Sequence, residues 1–148
     1  GRVATWGHPR REEGGARIHV RLMNVQRVGA AQSAFAAILE DGRVGSWGHP
    51  AYGGDSSTVQ DQLRNVQRIH GTTGAFAAIL ADGTVVTWGC PDYGGDSSIV
   101  QDQLKNVQEI CSTDSAFAAI LADGTMVAWG IQSRGGDSSG VQDLSMYL

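Results

Sequence analysis

The sequence predicts an all-β fold: a β-propeller-like array of 41-residue repeats, about 3.6 units long, with one short helical turn per repeat. Three observations predict it. Trp6, Trp47, Trp88 and Trp129 are the only tryptophans, stand 41 residues apart, and are each followed by glycine. Asp-Gly pairs at 41–42, 82–83 and 123–124 keep the same step and sit between apolar runs. Glycine makes up 21 of 148 residues, about twice the usual ~7%, while charged residues, at 18%, fall below the usual ~25%. That combination suits tight turns between buried strands.

Duplication explains the period. Aligned without a gap, 42–82 and 83–123 share 29 of 41 residues. The repeat divides a single domain, 1–148, into units at about 1–41, 42–82, 83–123 and an incomplete 124–148. In the first unit, 10–23 replaces the loop sequence of 51–64 but keeps its length, and 131–134 loses the proline and tyrosine of its counterparts. Divergent end units are what capping requires in a repeat array. Because the chain begins in mid-unit without methionine, it reads as a piece of something longer.

Within one unit, 65–89 shows the elements in order. Asp82-Gly83 between two apolar runs predicts a hairpin on a two-residue type I′ turn, which pairs 79 with 86 and 77 with 88. Ile79, Val86, Ala77 and Trp88 then share one face, and Leu80, Val85, Ala78 and Phe76 the other. Both faces are apolar, so the hairpin is sandwiched between neighbours, and successive units supply them. A helix over Ala-Phe-Ala-Ala-Ile-Leu is too short, ending at Asp-Gly before the β-branched Thr-Val-Val-Thr-Trp. Residues 56–64, where Ser56 or Ser57 can cap and Val59 and Leu63 lie four apart, predict one or two helical turns. Asn65 to Ile69 forms a third strand, with Val66 and Ile69 off strict alternation; 53–55 and 71–74 are loops.

The segments Ala75–Leu80, Ala81-Asp82-Gly83-Thr84-Val85-Val86-Thr87-Trp88-Gly89 and Pro91-Asp92-Tyr93-Gly94-Gly95 resemble the regulator-of-chromosome-condensation repeat. Its blades carry an aliphatic strand, then D-G, V-x-x-W-G and a glycine loop. The resemblance extends over all units and is shared with repeats of HECT-type ubiquitin ligases and of a bacterial β-lactamase-inhibitor protein. This chain departs in reading YGGDSS in the loop and in carrying Ala75 or Ala116 where a histidine is usual. The resemblance implies blades of a β-propeller and partners as different as a small GTPase, a lactamase or a ubiquitylation substrate.

Composition excludes several partner classes. Basic residues number 11 against 15 acidic, Lys105 is the only lysine, and the net charge is -4, which argues against a nucleic-acid track or an anionic-membrane patch. No apolar run approaches the ~18 residues of a membrane span. Gly-Gly-Asp-Ser-Ser at 53–57, 94–98 and 135–139 suggests anion or calcium binding, but no Lys-Ser/Thr follows it and calcium-binding β-rolls repeat every ~9 residues. A turn in which Asp55 or a serine caps the next segment is the plainer account. His8, His19, His49 and His70 and the cysteines Cys90 and Cys111 show no metal-ligand spacing, and there is no Gly-x-Ser-x-Gly elbow. No enzyme activity, cofactor or metal is expected.

The tryptophans are expected to pack between units, with Val44, Trp47, Ile79 and Val85 buried there and Val3, Trp6 and Leu148 exposed or dimer-forming at the ends. Recognition falls to positions that differ between units, in loops and at strand ends. Tyr52, Asp55, Arg68, His70, Asp92, Tyr93, Asp96, Glu109, Asp114 and Arg134 are the candidates. The leading expectation is a non-catalytic protein-protein interaction module, a propeller fragment binding a protein partner through inter-strand loops. The alternatives are the substrate-binding part of a larger ubiquitin ligase or guanine-nucleotide exchange factor, and a purely structural array. An open arc, or a homodimer completing a propeller, is expected rather than a closed monomeric ring. A soluble chain is expected; the cysteines do not fix a compartment, and a cytoplasmic or nuclear setting is favoured.

Overall fold

The same hexapeptide, Ala-Phe-Ala-Ala-Ile-Leu, forms the middle strand of three separate antiparallel sheets in the computed structural model, which describes residues 2–4 and 21–130. In chain order the strands are β1 (Arg2–Ala4), β2 (Arg21–Met23), β3 (Val25–Ala30), β4 (Ala34–Leu39), β5 (Val44–Gly48), β6 (Val66–Gly71), β7 (Ala75–Leu80), β8 (Val85–Gly89), β9 (Val107–Ser112), β10 (Ala116–Leu121) and β11 (Met126–Gly130). The sheets run β3-β4-β5, β6-β7-β8 and β9-β10-β11, and β1 pairs with β2. An all-β array of short repeated sheets is therefore observed, as the sequence predicts.

The hairpin register differs from expectation by one residue. Ile79 pairs with Val85, Ala78 with Val86 and Phe76 with Trp88. The loop is longer than Asp-Gly alone. Leu80 N–H donates to Thr84 O at 2.9 Å, and Gly83 N–H donates to Leu80 O at 3.0 Å. Only Gly83, at φ +83°, takes the left-handed conformation; Asp82 does not. This is a three-residue loop with a bulge at the glycine. Asp82 favours it because its Oδ1 accepts from both Thr84 N–H, at 3.0 Å, and Thr84 Oγ1–H, at 2.6 Å. Phe76, Ala78, Val86 and Trp88 consequently share one face, and Ala75, Ala77, Ile79 and Val85 the other.

Both faces are buried. Ala34, Ala36, Ile38 and Val44 of the first sheet pack against Phe76, Ala78, Val86 and Trp88 of the second, with Leu63 and Val66 closing the layer. The second sheet's other face meets Phe117, Ala119, Val127 and Trp129 of the third, joined by Val100, Leu104 and Ile110. Val44, Trp47, Ile79 and Val85 are buried as expected. The side chains of Val3, Trp6, Arg134 and Leu148 lie outside the described residues, as does the loop 135–139.

Two further expectations are corrected. The third strand of the middle unit extends to Gly71, and its broken alternation is a bulge between Val66 and Arg68. An extra residue there reverses which way later side chains point. Residues 56–64 form a 3-10 turn at Ser57–Val59 rather than α-helix, preceded by a second 3-10 turn at Pro50–Tyr52. Ser56 does not cap it. Its Oγ accepts from Ser46 Oγ–H at 2.8 Å, back on β5, while Asp55 Oδ1 takes the Ser57 N–H at 2.9 Å.

Candidate interaction surface

The loops that leave β5 and β8 are built as clamps. Trp88 Nε1–H donates 3.0 Å to Gly53 O, and Trp129 Nε1–H donates 3.1 Å to Gly94 O, so each loop satisfies the buried indole of the next sheet. Gly54 lies so close to β5 that an added Cβ would stand 2.4 Å from Gly48 O. Gln60 Nε2–H reaches Val44 O at 2.8 Å, and Gln101 Nε2–H reaches Val85 O at 2.9 Å. The repeated Gly-Gly-Asp-Ser-Ser at 53–57 and 94–98 is thus accounted for by packing.

This reassigns the loop candidates. Tyr52 and Tyr93 are half-buried rather than free surface aromatics; their rings meet edge-on at 6.1 Å. Gly74 sits between them, where an added Cβ would come within 2.8 Å of both rings. His49 packs on Tyr52 at 4.6 Å, and Tyr93 also touches the core between the second and third sheets. Its carbonyl accepts from Thr72 Oγ1–H at 2.7 Å. Asp55 and Asp96 are exposed, and hydrogen bonds from Ser57 and Ser98 hold their carboxyls below the usual carboxylate range. Asp92 is exposed in the first turn of the 3-10 segment Pro91–Tyr93.

Arg68, His70, Glu109 and Asp114 fall in a different place, on the first strands of the sheets and the turns that follow. The structure draws these edges together. Gln32 N–H donates to Thr73 O at 3.1 Å, and Thr73 N–H to Asp114 O at 2.9 Å. Ser112 Oγ–H donates to Gly71 O at 3.0 Å. A shallow depression lined by Gln32 and residues 71–73 and 112–114 follows this row. A second cleft, of about 280 Å³, opens between β3 and β6, with Arg27, Arg68 and His70 in its wall. Arg68, Glu109 and Asp114 are exposed and His70 is half-buried. The His70 pKa is lowered chiefly by burial, with positive Arg68 adding to the effect and Glu109 opposing it; its Nε2 is buried without a hydrogen-bond partner.

Reading the sequence alone missed Arg27 and Gln32. A signal was present: they stand 41 residues before Arg68 and Thr73, in the divergent first unit. Among the described residues no group of three or more His, Cys, Asp or Glu could hold a metal ion, and no helix is long and apolar enough to cross a membrane. Cys90 and Cys111 are free thiols.

No protein-family model matches the chain, and no curated protein matches it. Solved structures do. The chain is similar to yeast RCC1 (Prp20), in the structure of Kap60 bound to it, at 19% identity and a TM-score of 0.61, over 88% of this chain and 38% of that one. Prp20p from Saccharomyces cerevisiae, in a structure reported with its binding properties to Gsp1p and histones, gives a TM-score of 0.59 at 19% identity, over 88% of this chain and 39% of that one. Human WBSCR16 gives 0.54 at 20% identity, over 76% of this chain and 37% of that one. The chain thus spans less than two-fifths of the length of these structures. They show a distant likeness of fold to RCC1-type propeller-repeat proteins.

Proposed function

We propose that the chain is a non-catalytic protein-interaction module, an arc of propeller blades that meets its partner along the first strands and the turns after them. One observation carries this reading. Five of the twelve positions at which 42–82 and 83–123 differ fall on this aligned edge, among them Arg68 and Glu109, His70 and Cys111, and Thr73 and Asp114; Arg27, Gly29 and Gln32 hold those three positions in the first unit. A rigid frame with its variable side chains on one surface is how repeat proteins build recognition. The RCC1-type neighbours lend support, since the partners named with Prp20 are proteins: Kap60, Gsp1p and histones. Fold likeness alone does not name a partner here.

Affinity capture with the intact chain and two variants tests the reading. Thr73→Ala combined with Asp114→Ala alters the strand edge, while Asp92→Ala alters a loop. A partner held by the parent chain and by Asp92→Ala, but lost from the double variant, supports the edge. Loss with Asp92→Ala alone returns recognition to the loops, and failure of the parent chain to retain any protein overturns the module.

A further inference from the structure

We propose that the cleft between β3 and β6 is a subsite for an acidic side chain of a peptide partner, held by Arg27 and Arg68. The inference deepens the reading above and rests on it. Two guanidinium-bearing residues line one cleft of about 280 Å³ in a chain whose net charge is -4. Neither has an ion pair or hydrogen bond among the described residues, so both forks of donors are free. An entering carboxylate matches the planar guanidinium fork. His70 adds a third polar group to the wall, and its Nε2 is buried with no partner.

The remaining wall points to a peptide rather than a small free anion. Val28, Ile38 and Ile69 line the cleft beside the charged groups, and Val28 is 46% exposed. Such an apolar strip gains by covering the methylenes of a glutamate and the residue next to it; inorganic phosphate has nothing to lay there. Gly29, where the later units carry His70 and Cys111, contributes no side chain and packs directly on Ile69, whose Cγ2 would stand 3.2 Å from an added Cβ. The subsite is not repeated in the next seam. There the corresponding positions hold Arg68 and Glu109, of opposite charge, so the described residues offer one such subsite.

Fluorescence anisotropy with the full chain tests this, using a fluorescein-labelled peptide of repeated Glu-Glu-Leu and the same peptide with glutamine for glutamate. The glutamate peptide binds with one-to-one stoichiometry and weakens with salt. Arg27→Gln and Arg68→Gln each weaken it about tenfold, as loss of a charge-assisted hydrogen bond does, and the double variant abolishes it. Arg43→Gln, on the β4–β5 turn, leaves it unchanged. Val28→Asp, which adds a repelling charge at the exposed rim and spares both arginines, weakens binding too, and decides the matter if the arginine variants fail to fold. Equal binding of the glutamine peptide, full binding by the double variant or by Val28→Asp, or no binding at about 1 mM protein overturns the subsite. Displacement of the peptide by phosphate at concentrations below the peptide's own Kd also overturns it, in favour of a small-anion site. The capture variants at 73 and 114 leave this cleft intact, so a module without an acidic subsite and no module at all give different results.

Discussion

The loops 53–57 and 94–98 and the strands β3, β6 and β9 both repeat along the chain, yet they obey opposite rules. The loops are identical in sequence, Gly-Gly-Asp-Ser-Ser each time; the strands change charge and size at corresponding positions. The loops look like a ligand-binding motif and serve as internal clamps, with Gly53 O and Gly94 O accepting from Trp88 and Trp129. The strands share only the Asn-Val-Gln at their start and supply the exposed side chains Arg27, Arg68 and Glu109. Identity between duplicated segments here follows close packing, which tolerates little change, whereas the edge that touches solvent is free to diverge. In the loops sameness follows packing, and on the edge difference marks the candidate site.

Four measurements press on that contrast, beginning with the largest effect. Trp88→Ala should cost about 3–5 kcal/mol in urea unfolding, the range for a buried aromatic truncated to alanine; it is 3% exposed and also leaves Gly53 O without its donor. A cost under about 1 kcal/mol would mean the sheets do not depend on the clamp for their packing. Gly54→Ala should cost about 1–3 kcal/mol, the range for overpacking, because the new methyl meets backbone at 2.4 Å. An unchanged midpoint would show that the loop yields easily and that its identity needs another reason.

Acid should weaken the fold in two steps. His70 has a folded pKa below its ordinary 6.5, so its stabilising contribution is complete above that value and is lost as pH falls through the lowered pKa. Asp55, Asp82, Asp96 and Asp123, also lowered, contribute above about their ordinary 3.8 and lose that contribution below it. These carboxylates are nearly or fully exposed, so salt should shrink the second step. Thermal midpoints from pH 7 to 3 check both, with His70→Gln removing the first decline; a midpoint that rises on acidification from pH 7 to 5.5 would show Glu109 outweighing burial and Arg68. The smallest effect belongs to the edge itself. Asp114→Ala should stay within about 0.5 kcal/mol of the parent, as exposed substitutions usually do. A larger loss would make that side chain part of the frame.

The period, the three sheets and the buried tryptophans were legible because each leaves a mark on residue type. The hairpin register was not. Asp82-Gly83 fits a two-residue turn equally well by composition, and the choice is made by the Asp82 carboxylate reaching Thr84. The bulge after Val66 left only a trace, the broken alternation through Ile69, since an inserted residue has no chemistry of its own. Tyr52 and Tyr93 looked like surface aromatics because they adjoin glycines; the contact that half-buries them comes from a different unit, across Gly74. Arg68, His70, Glu109 and Asp114 were found from their variation between units, but their gathering into one edge depends on hydrogen bonds between sheets that no local pattern encodes.

Each indole clamp spans 35 residues and links one unit only to the next. A genetic exchange that adds or removes whole 41-residue periods therefore keeps every latch in phase, whereas one that shifts the frame by a few codons breaks the latch on which it falls. Gain or loss of whole units would therefore leave the remaining latches of this kind intact. Ala128, standing where Ser46 and Thr87 offer hydroxyls to the loop serines Ser56 and Ser97, shows a copy that has already begun to drift.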